Sequence, residues 1–255
     1  MIQNFDITMT ATLRPELIKI TLDSHIENLF KEDIKKAKLI INVDLAGAEE
    51  KYHDSKSRDV FLLVDKYPFR AVEMRVGNPP FFPAAFHWCW DHAKMPFVFH
   101  LEEDWEMMKP LNFSQMWSIM EKDSTLAHLR LSYFPSTEIS CKNWNKFTYW
   151  NGEYFEVPCH DKCVIGWCGH PSLNRLSFMR KALSHSNRMA NPEKQIKGRR
   201  GSHPINYLLD ANKFGVFTPQ DSSPIVRDIG RRWMVEHGYV KAGVKAFFTN
   251  WATKE

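Results

Sequence analysis

No apolar stretch of this sequence approaches the roughly 20 residues that a membrane span needs, so no segment is expected to cross a bilayer. The opening segment, MIQNFDITMTATLRPEL, has no basic run followed by an apolar one. That excludes a secretory signal and leads us to expect a soluble, cytoplasmic protein. Cysteines are few. Five, an odd number, fit a reducing compartment better than a disulfide framework. Cys159-His160-x-x-Cys163 and Cys168 do not have the C-x-x-C spacing of a zinc knuckle, and we read them as reduced packing residues. Also absent are a P-loop lysine motif, a G-x-G-x-x-G turn, and the glycine pattern of a nucleophile elbow around Ser172 or Ser202. His87 and His92 stand five apart, a poor spacing for sharing a helix face. No internal repeat or low-complexity segment is present.

What is present is an ordinary soluble composition with an aromatic excess. Of 255 residues, 44% are hydrophobic and 13% aromatic, with 9 Trp and 18 Phe, which serve either a large core or a pocket for ring-shaped ligands. The net charge of +4 permits a polyanionic partner without requiring one. Along the chain, FDITMTAT (5–12) reads as a strand. RPELIKITLDSHIENL reads as a helix opened by Pro15 and Glu16, with Leu17, Ile20 and Leu22 as its stripe, and AKLIINVDLAG as a buried parallel strand ending at Asp44. VFLLV (60–64) and RAVEMRV (70–76) read as further strands, FFPAAFHWCWDHAK as a helix and FVFHL as a strand. NFSQMWSIMEKD reads as a helix capped by Asn112 or Ser114, and HLRLSYF as a strand. A hairpin turning at Asn151-Gly152 is expected within 136–160, then helices at SLNRLSFMRKALSH and HPINYLLDANKFG, a strand or loop at IVRDIG, and C-terminal helices. Strand–helix–strand order predicts an α/β fold with a Rossmann-like, mostly parallel central sheet flanked by helices.

FVFHLEEDW places three carboxylates, Glu102, Glu103 and Asp104, at the end of one such strand, the edge where open α/β sheets bind ligands. Adjacent carboxylates remain ionised cheaply only in water or beside a cation. Period-2 alternation puts Glu102 and Asp104 on one face and Glu103 on the other. A Mg²⁺ or Mn²⁺ site and a solvated acidic turn both fit this pattern.

Several segments, taken in order, resemble nucleotide-sugar glycosyltransferases of the GT-A fold. They are TMTATLRPELIKITLDSHIENL, IINVDLAG, GNPPFFPAAFHWCWDHAKMPFVFHLEEDW with an acidic-x-acidic motif, GWCGHPSLNRLSFM and PIVRDIGRRW. Glu102 stands where the family usually has aspartate, and Asp228 where it often has a histidine ligand. The resemblance implies one GT-A domain over 1–255, with a nucleotide-sugar half (1–110) and an acceptor half (111–255). It implies a divalent cation, Mn²⁺ or Mg²⁺, on Glu102, Asp104 and Asp228. Thr10, Ala11, Thr12, Arg14, Asp44 and Glu103 would surround a UDP-linked donor, although Arg14 also reads as a surface arginine and Asp44 as a strand-end cap. Asp104 would act catalytically through the metal, and Glu193 would be the general base of an inverting enzyme. Trp167, Gly169, His170, Arg199 and Arg200 would face the acceptor.

The basic stretch Arg175, Arg180, Lys181, Arg188, Lys194, Lys197, Arg199 and Arg200, followed by Arg227, Arg231 and Arg232, suits a phosphate backbone. The compact chain is similar to phage and viral transferases. The favoured acceptor is therefore a 5-hydroxymethylpyrimidine in double-stranded phage DNA, with the host cytoplasm as the location. A cell-envelope glycan is the rival acceptor. A metal-dependent nucleotidyltransferase and a non-catalytic nucleic-acid-binding protein remain as other classes.

Overall fold

The structure, a computed structural model, describes residues 2–134, 148–196, 203–221, 223–245 and 248–253. At its centre lies β1 (Phe5–Thr12), paired in parallel with β2 (Ala37–Asp44) on one side and β4 (Phe97–Glu102) on the other. Both of its faces are covered. Ile7, Met9 and Ala11 enter one apolar core together with Phe97, Phe99 and Leu101, while Ile40 and Val98 enter a second. A strand buried on both faces needs no polar face, which is why 5–12 shows a near-continuous buried pattern. Its inward polar groups are satisfied in part: Asp6 Oδ2 accepts the Met95 amide at 2.8 Å and the Thr8 hydroxyl bonds His100 Nδ1 at 3.0 Å, while Asp6 Oδ1 and His100 Nε2 are buried without a partner among the described residues.

The sheet continues through β3 (Ala71–Gly77), β6 (Leu126–Leu131), β8 (Tyr149–Trp150), β9 (Phe155–Glu156), β10 (Ser172–Arg175) and β11 (Lys213–Phe217), in the order β3-β2-β1-β4-β10-β6-β11-β9-β8. Only β10 and β9 run against the others, so the expected mostly parallel α/β sheet is present. A second, three-stranded sheet orders β5 (Trp105–Met107), β12 (Val226–Asp228) and β7 (Tyr133–Phe134) as β5-β12-β7. Because β5 follows the carboxylate run by a single step, this small sheet brings Asp228 opposite Trp105 and next to Asp104.

The helices α1 (Pro15–His25), α2 (His53–Val64), α3 (Phe82–His92) and α4 (Phe113–Lys122) follow the strands. Pro15 opens α1 as expected, and Asn112 Oδ1 caps α4 by accepting the Gln115 amide at 3.1 Å. Within α1 the core-facing residues are Leu17, Ile18 and Leu22, not Ile20, which is 40% exposed. Residues 60–64 are the last turns of α2 rather than a strand. Val60 and Val64, four apart, are buried, and Phe61 and Leu62 are more than half exposed.

Further along, Ser172–Arg175 forms β10 before α6 (Leu176–Ser184) begins, after the short helix α5 (Lys162–Ile165). α7 (Pro192–Ile196) and α8 (His203–Ala211) follow, and Lys213–Phe217, whose first three residues were expected to end the helix at Gly215, is the buried strand β11. The predicted Asn151 turn is present: Asn151 Oδ1 accepts the Glu153 and Tyr154 amides at 3.0 Å between β8 and β9. Instead of C-terminal helices there is one, α9 (Gly230–Glu236), followed by a hairpin of β13 (Tyr239–Lys245) and β14 (Phe248–Thr253).

Candidate active site

The site grows from the C-terminal ends of β1, β2 and β4. Glu103 points away from Glu102, as alternation requires, into the turn that follows β1. One oxygen, Oε1, accepts the Thr12 amide (3.0 Å), the Thr12 hydroxyl (2.9 Å) and Arg14 Nε (3.2 Å), and also pairs closely with Arg14 Nη2. Arg14 Nη2 lies 3.2 Å from Asp104 Oδ2 as well. Burial acts to lower the Arg14 pKa, but the charges of Glu103 and Asp104 outweigh it and raise the guanidinium above its usual value. Arg14, 1% exposed, is therefore no surface arginine. Glu103 thus organises the Thr12–Arg14 turn through one oxygen, while Glu102 Oε2 accepts only a long bond from the Trp105 indole N–H at 3.5 Å. Thr10 and Ala11 are buried strand positions, with Thr10 in register with Glu102.

Glu102 has no basic partner among the described residues, and Asp104 shares Arg14 with Glu103. Burial raises the Glu102 carboxyl well above the usual range, and Asp104, Glu193 and Glu103 raise it further. Burial, Glu103 and Asp228 push Asp104 up to about 7 against the opposing pull of Arg14. Two glycines permit this crowding. A Cβ on Gly169 would lie 3.0 Å from Glu102 Oε1, and one on Gly230 would lie 2.0 Å from Asp104 Oδ2.

Among the described residues, no three His, Cys, Asp or Glu side chains already converge at metal-binding spacing. Magnesium-type ions at phosphate sites use one or two carboxylates and complete their shell with phosphate and water oxygens. Glu102 and Asp104, both partly buried and close enough for their charges to act on each other, with Arg14 paired to Asp104, fit that chemistry. Asp228 fits it less well. Its Oδ1 accepts the Gly230 amide (3.0 Å) and the Arg231 amide (3.3 Å), and its Oδ2 pairs with Arg231 Nε at 3.1 Å, so it caps α9.

Asp44 ends β2, in register with Thr12 and Gly77. Asn42 Nδ2 donates to its Oδ1 at 2.8 Å and the Phe81 amide to its Oδ2 at 3.1 Å, yet burial pushes its carboxyl up to about 6. A Cβ on Gly77 would fall 2.1 Å from Asp44 Oδ1, so only glycine leaves this carboxylate where it stands.

On the expected acceptor side, the structure separates the predicted residues. Trp167 is 0% exposed. Its indole N–H donates to Asn174 Oδ1 at 3.1 Å and its ring packs on Phe86, which makes it a core residue and not an acceptor contact. His170 packs between Trp105 and Tyr133, with ring centroids at 4.8 and 4.5 Å. Glu193, in the first turn of α7, is close enough for its charge to act on Glu102. Arg199 and Arg200, with Lys197 and Ser202, lie outside the described residues.

Much of the basic stretch has internal work. Arg175 Nη2 donates to the Met120 carbonyl at 2.7 Å, Arg180 donates to the Ala93 carbonyl at 2.9 Å, and Arg188 pairs with Asp91 at 3.0 Å. Arg227 pairs with Glu106 and Arg232 with Glu236. Gly230 and Trp233 lie within the family-like segment PIVRDIGRRW, but nothing in the sequence pointed to a role for either. Their roles depend on a chain return from residue 228 onto residues 14 and 104 that no local pattern encodes.

No protein-family model matches the sequence, and no curated protein matches it. Solved structures do. TarS from S. aureus superposes with a TM-score of 0.57 at 8% identity, over 89% of this chain and 36% of that one. Its 1–349 fragment in complex with UDP gives 0.54 at 9%, over 88% and 60%. The mannosyltransferase PcManGT from Pyrobaculum calidifontis, in complex with GDP-Man and Mn²⁺, gives 0.55 at 11%, over 89% and 57%. The chain thus spans less than two thirds of the length of each of these structures and has the GT-A fold that the sequence led us to expect. No helix among the described residues is long and apolar enough to cross a membrane.

Proposed function

We propose that this chain is a glycosyltransferase that moves a sugar from a nucleoside diphosphate, UDP first among candidates, to an acceptor hydroxyl. The observation that carries this reading is the Glu102–Asp104 pair, two partly buried carboxylates raised in pKa at the strand edge, with the Arg14–Glu103 node against Asp104 and Glu193 within charge range of Glu102. The fold adds weight, since neighbours with the same architecture hold UDP or GDP-Man with Mn²⁺. Glu102 and Asp104 would hold the divalent cation, which supplies charge neutralisation for the departing diphosphate. Asp44, between Asn42 and the Phe81 amide, would receive the nucleoside, and the end of β1 with the Thr12–Arg14 turn would fix the nucleotide end. Glu193 would accept the proton of the acceptor hydroxyl on its carboxylate as the new bond forms, making the enzyme inverting.

The test is thermal stability with a panel of nucleotide sugars, with and without Mn²⁺, because a ligand of the folded state raises the melting temperature. A Mn²⁺-dependent rise with one donor that Asp104→Asn abolishes is expected. A shift with nucleoside triphosphates alone would indicate a nucleotidyltransferase, and no shift with any donor would sink the reading. Glu193→Gln should keep the donor shift and lose transfer. Full activity in that variant would remove Glu193 as base.

For the acceptor we retain 5-hydroxymethylpyrimidine in duplex DNA, supported by the net charge of +4 and by Lys181 and Lys194, with a glycan as the alternative arm. Arg175, Arg180 and Arg188 no longer contribute to this argument, being engaged within the protein. Duplex binding that weakens steeply with salt is expected. No binding at low salt would discard DNA.

A further inference from the structure

α9 returns from the far end of the chain onto the turn after β1. The Arg14 guanidinium carbon lies 5.2 Å from the centroid of the Trp233 ring, and the Trp233 indole N–H donates to Glu16 Oε1 at 2.7 Å. The ring also stacks on His237, at 4.1 Å and 12°, and on Tyr239, at 5.5 Å and 16°. Trp233 is 7% exposed, and it belongs with Leu17 and Met234 to a small core separate from the two large ones. A guanidinium held over an indole face is attracted by the ring quadrupole. The Arg14 guanidinium is therefore held by Glu103 and Asp104 and also by the Trp233 ring. At the start of the same helix, Gly230 lies against the Asp104 carboxylate.

We propose that Trp233, anchored by Glu16, is a positioning residue of the donor site: it holds the Arg14 guanidinium between Glu103 and Asp104 and so fixes the cation-holding carboxylate and the nucleotide turn together. The proposal deepens the glycosyltransferase reading and rests on it for its consequence in donor binding. Its structural half is independent of any ligand. α9 then serves as a clamp between the two ends of the chain.

Two measurements test it in the full chain. The first is hydrogen exchange at the Thr12 amide, which donates to Glu103. Trp233→Ala should speed exchange there while the amides of β6, far from the clamp, remain protected. The second is the Kd for UDP with Mn²⁺, expected to weaken about tenfold or more in Trp233→Ala and only slightly in Trp233→Phe, which keeps a ring over Arg14. Glu16→Gln, which retains an oxygen acceptor for the indole N–H, should recover most of what Glu16→Ala loses. Unchanged Thr12 exchange in a folded Trp233→Ala or Glu16→Ala protein would overturn the proposal. Faster Thr12 exchange combined with no UDP binding by the unmodified protein would leave the clamp standing and remove the glycosyltransferase reading.

Discussion

Asp44 shows how one side chain records its surroundings. Its carboxyl is pushed up to about 6 by burial, against 3.8 for the free group. Between about pH 4 and 6 the folded chain therefore binds more protons at this residue than the unfolded chain does, and the residue's contribution to stability falls as pH rises through that window. Buried His25 and His100, lowered to about 4 and about 3, act in the opposite direction, since their contribution is lost as pH falls from 6.5. The difference between wild type and Asp44→Asn isolates the aspartate. In chemical denaturation, that difference should shift in favour of Asn by up to about 3 kcal/mol from pH 4 to pH 7. Gly230 offers a second reading at this scale. A methyl there meets Cβ, Cγ and Oδ2 of Asp104 at 2.0–2.8 Å, so Gly230→Ala must displace the carboxylate. We expect a stability cost of about 1–3 kcal/mol and a clear loss of Mn²⁺-dependent donor binding, checked by calorimetry.

At the scale of elements, α2 separates what a short apolar run says from what it becomes. VFLLV has no period of its own, and only packing of Val60 and Val64 against the core reveals a helix face. Val60→Ala should cost about 1–3 kcal/mol, whereas Phe61→Ser, at a position 53% exposed, should cost little, as urea denaturation of the two variants will show. Strands β1, β2 and β4 were legible because short runs such as AKLIINVD, buried on both faces, are mostly apolar and β-branched, and β2 and β4 each end in an acid. β11 was not legible, because Lys213–Phe217 follows a helix without a break and its strand state is set by pairing with β6. Asp228 belongs to the same class. The sequence placed it near a metal by resemblance, while the pairing of β12 with β5 decides its neighbours and α9 claims its oxygens.

For the molecule as a whole, Glu102, Glu103, Asp104, Glu193 and Asp228 gather negative charge that Arg14 and Arg231 only partly offset. A divalent cation should relieve this repulsion and compete with protons for Asp104, whose carboxyl stands at about 7. Mn²⁺ alone should therefore raise the melting temperature more at pH 8 than at pH 5.5, with a difference of about 2 kcal/mol in the stabilisation. EDTA should abolish the rise, and Asp104→Asn should show little of it at either pH. By itself the sequence determined the α/β class, the parallel core strands and the position of the acidic run at a strand end, because these follow from hydropathy and alternation within a few residues. Only the tertiary structure decided that Glu102 lacks a counter-charge among the described residues, that Trp167 is core, that Arg175, Arg180 and Arg188 are engaged within the protein, and that Trp233 reaches Arg14. Those outcomes depend on contacts between residues far apart in the chain, and a local pattern holds no record of them.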